Sequence, residues 1–149
     1  MQPKEYATII SEMINRLEPL HVLDYFCGAN VELAKILRVK CAFKYQAYDP
    51  SVPKFASPAL PADVVVCVND LGKLEAEDAE EVLDDIRRLT EGVAFLVIAD
   101  SERPPEWWLP RIMVRFDLQT YQVSGENSFY VVVFAQPRMI EDAAGEKLS

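Results

Sequence analysis

Histidine is almost missing from this chain. One, His21, stands among 149 residues, and cysteine is limited to Cys27, Cys41 and Cys67. The cysteine spacings fit no metal pattern, and with a single histidine neither a zinc site nor a Cys/His nucleophile is expected. Three thiols, each among apolar neighbours, read as buried free cysteines in a reducing compartment. Glycine is scarce as well, with five in all. No apolar run approaches the roughly 20 residues that span a bilayer, so no membrane partner is expected. The opening MQPKEYATII carries acid early and lacks the apolar region of a signal peptide, which points to the cytoplasm. Bases are outnumbered: 15 Lys and Arg against 24 Asp and Glu give a formal net charge of −9. The bases are scattered rather than striped. Nucleic acid is therefore not an expected partner, because that affinity rests on Lys and Arg displacing counterions.

What is present suits one domain. A chain of this length buries roughly 68–70% of the surface its unfolded form exposes. Residues 1–137 read as that single domain, and 138–149 as a polar tail. Tyr6, Ile9, Ile10, Met13 and Leu17 share one face of a helix over 3–17, which Pro19 stops. Strands are predicted at about 22–26, 44–48, 63–68, 93–99, 115–122 and 129–136. DVVVCV (63–68) is a continuous apolar run of the kind found in a central parallel strand. Between the second and third strands, residues 50–62 hold four prolines and read as an irregular surface loop. Asn30 is placed to cap a helix carrying Val31, Leu33, Ala34 and Leu37. A helix over 75–90 buries Ala79, Val82, Leu83, Ile86 and Leu89, and Gly92 is placed to cap its end. Pro104-Pro105 opens a last helix with Trp107 and Trp108. Adjacent helix positions cannot face the same way, so one tryptophan is expected in the core and the other at the surface or over a pocket. Alternation of strands and helices implies a mostly parallel sheet with helices on both faces, closed by an antiparallel hairpin.

In such sheets ligands bind outside the carboxyl ends of the strands. The stretch LDYFCGAN (23–30) lies at one such end, with a single glycine where nucleotide-binding turns usually have two or three. Three readings stay open for it: a nucleotide site, the remnant of one, or only a turn. Gly28 allows a ligand to approach the backbone closely. Asp49, closing the second strand, offers paired acceptors suited to two ribose hydroxyls; before Pro50 it is equally a turn initiator. Phe26 and Cys27 also read as core. A nucleoside with an amino-acid tail fits these parts better than a dinucleotide.

Four segments in order, VLDYFCGAN (22–30), AYDP (47–50), PADVVVCVNDLGKL (61–74) and PPEWW (104–108), resemble the class I S-adenosylmethionine-dependent methyltransferases, in particular a compact bacterial and phage group. The resemblance runs from about Leu20 to Val133. It implies a Rossmann-like α/β methyltransferase fold and S-adenosylmethionine (SAM) as cofactor. By position it places Asp24 near the cofactor's amino group, Gly28 against the methionine moiety, Asp49 and Pro50 at the ribose and adenosine, and Asn69, Asp70 and Leu71 along the methyl group and substrate. There are departures. Phe26 and Asn30 replace the outer glycines of the first motif, Asn69 replaces an acid, and Gly72-Lys73 replaces a Glu-His pair. Only Ala99 to Arg103 remains of a longer substrate-covering segment. Phe26 is expected to take part of the space left for the methionine tail, weakening or abolishing cofactor binding. Two functions follow: a small methyltransferase, or an inactive relative acting as a binding or structural protein. For the second, the acidic helix 75–90 is the expected protein-partner surface. A phage origin, and hence the host cytoplasm, is implied by the resemblance alone.

Overall fold

The computed structural model describes residues 3–136. Pro137 and the expected polar tail lie outside them. The elements run α1 (Pro3–Leu17), β1 (His21–Tyr25), α2 (Glu32–Ile36), β2 (Lys44–Tyr48), β3 (Ala62–Cys67), α3 (Ala76–Leu89), β4 (Thr90–Ile98), α4 (Pro105–Met113), β5 (Phe116–Gly125) and β6 (Ser128–Ala135). They build one six-stranded sheet in the order β2-β1-β3-β4-β6-β5. β1 to β4 are parallel, and β6 runs antiparallel to both its neighbours. As expected from its apolar run, β3 is interior, paired to β1 and β4.

The period-two alternation of the strands explains the two layers. Val64 and Val66 face α1 and α2, where Tyr6, Ile10, Ile14 and Leu33 cover them. Val65 and Cys67 face α3 and α4, where Leu83, Ile86, Trp108 and Ile112 do the same. A strand covered on both faces must be apolar throughout. Trp108 is fully buried and its indole N–H donates to Ser101 Oγ (2.9 Å). Trp107 is half-buried, its ring flanked by the guanidinium groups of Arg111 (4.0 Å) and Arg103 (5.1 Å). It does not line the cavity described below.

Four expectations are corrected. Asn30 does not cap α2: the N-cap is Val31, in the left-handed region (φ 42°), with no side-chain bond to the helix. Gly92 is not a helix cap either, because β4 starts directly at Thr90. Its lack of a side chain serves the sheet: a Cβ there would lie 2.8 Å from the Asp63 carbonyl oxygen, where the β3–β4 register shifts. The proline-rich loop is not wholly irregular, since Pro53–Phe55 form a 3-10 turn, a position that tolerates proline at its start. All three cysteines are free, but Cys41 is only half-buried.

α3 and α4 are joined by ions. Arg111 and Arg115 both bond Glu80 (2.7 and 2.9 Å), and Arg115 also bonds Asp84 (2.7 Å). Asp85 accepts from the Tyr25 hydroxyl (2.6 Å) and pairs with Arg88. Part of the acidic face of α3 is therefore engaged inside the molecule. Among the described residues no helix is long and apolar enough to cross a membrane.

Candidate functional site

β1 delivers the chain to the carboxyl edge of the sheet and ends at Tyr25, one residue short of the expected boundary. Phe26 then turns with φ 64°. That region suits glycine, and an L side chain adopts it only under local constraint. Here the constraint is visible. The N–H groups of Phe26 and Cys27 both donate to the Tyr48 carbonyl (2.7 and 3.1 Å), while the Phe26 carbonyl accepts from Asn69 Nδ2 (3.0 Å). The turn swings the phenyl ring into the core on the α3 side, edge-on to Tyr25 at 4.8 Å between centroids. The ring, expected to crowd the space for a methionine tail, does not line the cavity beside the turn.

That space exists. A cavity of about 320 Å³ opens on the α1/α2 side of the turn, lined by residues 27–30, by Val68 to Asp70 after β3, by Tyr6 of α1 and by Glu32, Leu33 and Ile36 around α2. Gly28 has φ 79°, and the volume a Cβ would enter is open. Among the described residues no lysine or arginine lines the cavity, whereas Glu32 and Asp70 do.

Of the eight residues the sequence assigned to a cofactor, three line this cavity: Gly28, Asn69 and Asp70. Leu71 is fully buried in the core, and Pro50 is exposed on the turn after β2. Asp24 and Asp49 stand behind the turn. Asp49 is buried; one carboxylate oxygen accepts from the Gly28 N–H (3.0 Å), the other from the Ser51 N–H (3.0 Å) and hydroxyl (2.7 Å). It thereby ties the β1 turn to the β2 turn. Asp24 is fully buried, accepts from the Tyr45 hydroxyl (2.6 Å) through one oxygen, and has no partner for the other. Burial pushes its pKa up to about 6, the nearby Asp49 adding to the rise and the Tyr45 bond opposing it. Burial likewise raises the Cys27 thiol to about 11, with the charges of Asp24 and Asp49 adding to the effect. The thiol is thus not a ready nucleophile.

Tyr6, Glu32 and Ile36 were missed as lining residues. Tyr6 lies on the apolar stripe of α1, where core packing and cavity lining give the same sequence signal, and only its bond to Ser124 Oγ (3.1 Å) shows it reaching across the sheet.

No protein-family model and no curated protein matches this chain. Solved structures do. The magnesium protoporphyrin IX methyltransferase from Synechocystis PCC 6803, with bound SAM, is 13% identical with a TM-score of 0.67, over 89% of this chain and 79% of that one. An O-methyltransferase family protein from Burkholderia thailandensis is 14% identical at TM-score 0.65, and there the match covers 89% of this chain but 55% of the longer one. A TehB-like SAM-dependent methyltransferase from Corynebacterium glutamicum is 18% identical at TM-score 0.57, over 91% of this chain and 98% of that one. Identities this low speak for the fold, and the fold is that of the Rossmann-like methyltransferases.

Proposed function

We propose that the chain is a small SAM-dependent methyltransferase. The observation that carries this reading is the cavity at the carboxyl ends of β1 and β3, open beside Gly28 and left clear by the inward turn of Phe26. The groups around it suit the methionine end of the cofactor. The backbone at Gly28 admits close approach, and the absence of a lining lysine or arginine disfavours a dinucleotide, whose diphosphate seeks cations. Gly28, Asn69 and Asp70 would hold that end of the ligand, and Tyr6 would close it from α1. When bound, SAM supplies a methyl group on a sulfonium. The protein's part is then to position an acceptor in line with it, which requires little acid–base chemistry and no histidine. A bacterial or phage setting rests on the motif resemblance, and a cytoplasmic location on the opening residues and the free cysteines.

Titration calorimetry with SAM and S-adenosylhomocysteine tests the reading. Saturable binding of both, one per chain, is expected. A second reading, an inactive relative that binds a protein partner, is favoured by one observation: the Asp49 carboxylate, which by resemblance would take the ribose hydroxyls, is already bonded to Gly28 and Ser51. Absence of heat with either ligand at millimolar concentration would leave that reading in place.

A further inference from the structure

The loop after β3 is built more rigidly than a connection requires. Leu71 is fully buried, and its N–H bonds back to the Asn69 carbonyl (2.8 Å) across Asp70. Gly72 lies against the next strand's end so closely that a Cβ would stand 2.6 Å from the Ala99 carbonyl oxygen. The Asn69 amide is tied to the Phe26 carbonyl (3.0 Å). These contacts fix Asp70 between them at φ 68°, a conformation that costs free energy for any residue with a Cβ and that persists only where its surroundings impose it. The result is an exposed Asp70 held in the lining of the cavity. Among the described residues no lysine or arginine pairs with it, and none lines the cavity. The nearest lining charge besides it is another carboxylate, Glu32. The motif resemblance gives this position no acid: where PADVVVCVNDLGKL has Asp70, the related segment has an apolar residue.

We propose that Asp70 is a specificity-determining residue, giving the cavity a preference for a ligand with a positively charged centre, a sulfonium or protonated amine, over a neutral ligand of the same shape. The inference rests on the methyltransferase reading for the identity of the ligand. Its physical content is simpler. A carboxylate lining a cavity lowers the free energy of a cation there, and among the described residues no lysine or arginine lines the cavity to offset it. The same field raises the free energy of anionic ligands.

SAM and S-adenosylhomocysteine form the natural probe pair, since they differ by one methyl group and one positive charge. Calorimetry on the natural protein, on Asp70→Asn and on Glu77→Gln gives the ratio of the two dissociation constants in each. Asparagine is suited to the left-handed backbone, so the fold is kept. Asp70→Gly, which relaxes the backbone further, is the second variant. Glu77 is exposed on α3 and its change removes one negative charge far from the cavity lining. Both Asp70 variants are expected to lower the preference for the sulfonium ligand about three- to tenfold, through weaker SAM binding, with S-adenosylhomocysteine little changed. Glu77→Gln is expected to leave the ratio alone. An unchanged ratio in the Asp70 variants, or an equal change in Glu77→Gln, would overturn the inference while the methyltransferase reading stands. If the natural protein binds neither ligand, both fall together.

Discussion

At the scale of single residues, the two buried carboxylates behind the turn differ in their hydrogen bonding. Asp24 is fully buried with one oxygen unpaired, so its charged form is disfavoured and its pKa rises from 3.8 to about 6. A carboxyl whose folded pKa exceeds its unfolded value contributes stability that is full below pH 3.8 and is lost as pH rises through 6. The span corresponds to about 3 kcal/mol at roughly 1.4 kcal/mol per pH unit. Asp24→Asn, which cannot ionise, is therefore expected to gain on the natural protein between pH 4 and pH 7. Urea denaturation of both proteins at the two pH values measures this difference, and a gap independent of pH would show that Asp24 stays ionised. Asp49 has donors on both of its carboxylate oxygens. If it exchanges the Ser51 bonds for a ribose diol on binding, Asp49→Ala should weaken S-adenosylhomocysteine by about 1.5–3 kcal/mol, the range for hydrogen bonds to a charged group. Unchanged calorimetric affinity in a folded variant would make Asp49 a turn residue alone.

At the scale of elements, α3 is tied to the turn after α4 through Arg115, whose side chain is only 14% exposed and bonds both Glu80 and Asp84. Single surface pairs contribute about 0.2–1 kcal/mol, and a shared, half-buried arginine belongs at or above the top of that range. Arg115→Ala is expected to cost roughly 1–2 kcal/mol in urea denaturation, with part of the loss disappearing in 1 M salt. A salt-independent loss would assign the effect to packing of the arginine stem. The strands and the main helices were legible because each announces itself by period: apolar runs for β1, β3 and β4, and three- and four-residue spacing for α1 and α3. What sequence could not give were the junctions. Phe26 continues the apolar run of β1, and only the bonds from Tyr48 and Asn69 show that the chain has already turned. Asn30 is a good capping residue by type, yet Val31 takes the cap because the preceding turn delivers the chain there. Gly92 looks like a helix end and is needed instead where Asp63 crowds β4. In each case a long-range contact decided what local preference left open. The same holds for the candidate site: of the residues placed at strand ends, Gly28, Asn69 and Asp70 line the cavity, whereas Asp24, Asp49, Phe26 and Leu71 stand at the same ends and do not.

At the scale of the whole molecule, the cavity is made from parts distant in sequence: Tyr6 from α1, residues 27–30 from the turn after β1, and Val68 to Asp70 from the loop after β3. None of these groups is near the others in an unfolded chain, so a ligand that fits the cavity binds the native state alone. Binding must then raise stability by mass action, by about 2.7 kcal/mol at a free concentration one hundred times the dissociation constant. For a domain near 150 residues each kcal/mol raises Tm by about 2–4 °C, so the midpoint should rise by roughly 5–10 °C. Thermal unfolding with increasing S-adenosylhomocysteine is the measurement, and the rise should grow with the logarithm of concentration beyond saturation. The ligand would also join α1 to the sheet through Tyr6, which packs edge-on against Phe95 and Tyr130 and bonds Ser124. Amide protection in α1 is therefore expected to increase with ligand more than protection in β5 and β6, which do not line the cavity. A midpoint unmoved at every concentration would mean that the cavity does not take this ligand, and would shift the weight of argument to the inactive relative. A midpoint that rises without added protection in α1 would keep the ligand but place it off Tyr6, over the β2 end, where Asp49 rather than Asp70 would be its nearest carboxylate.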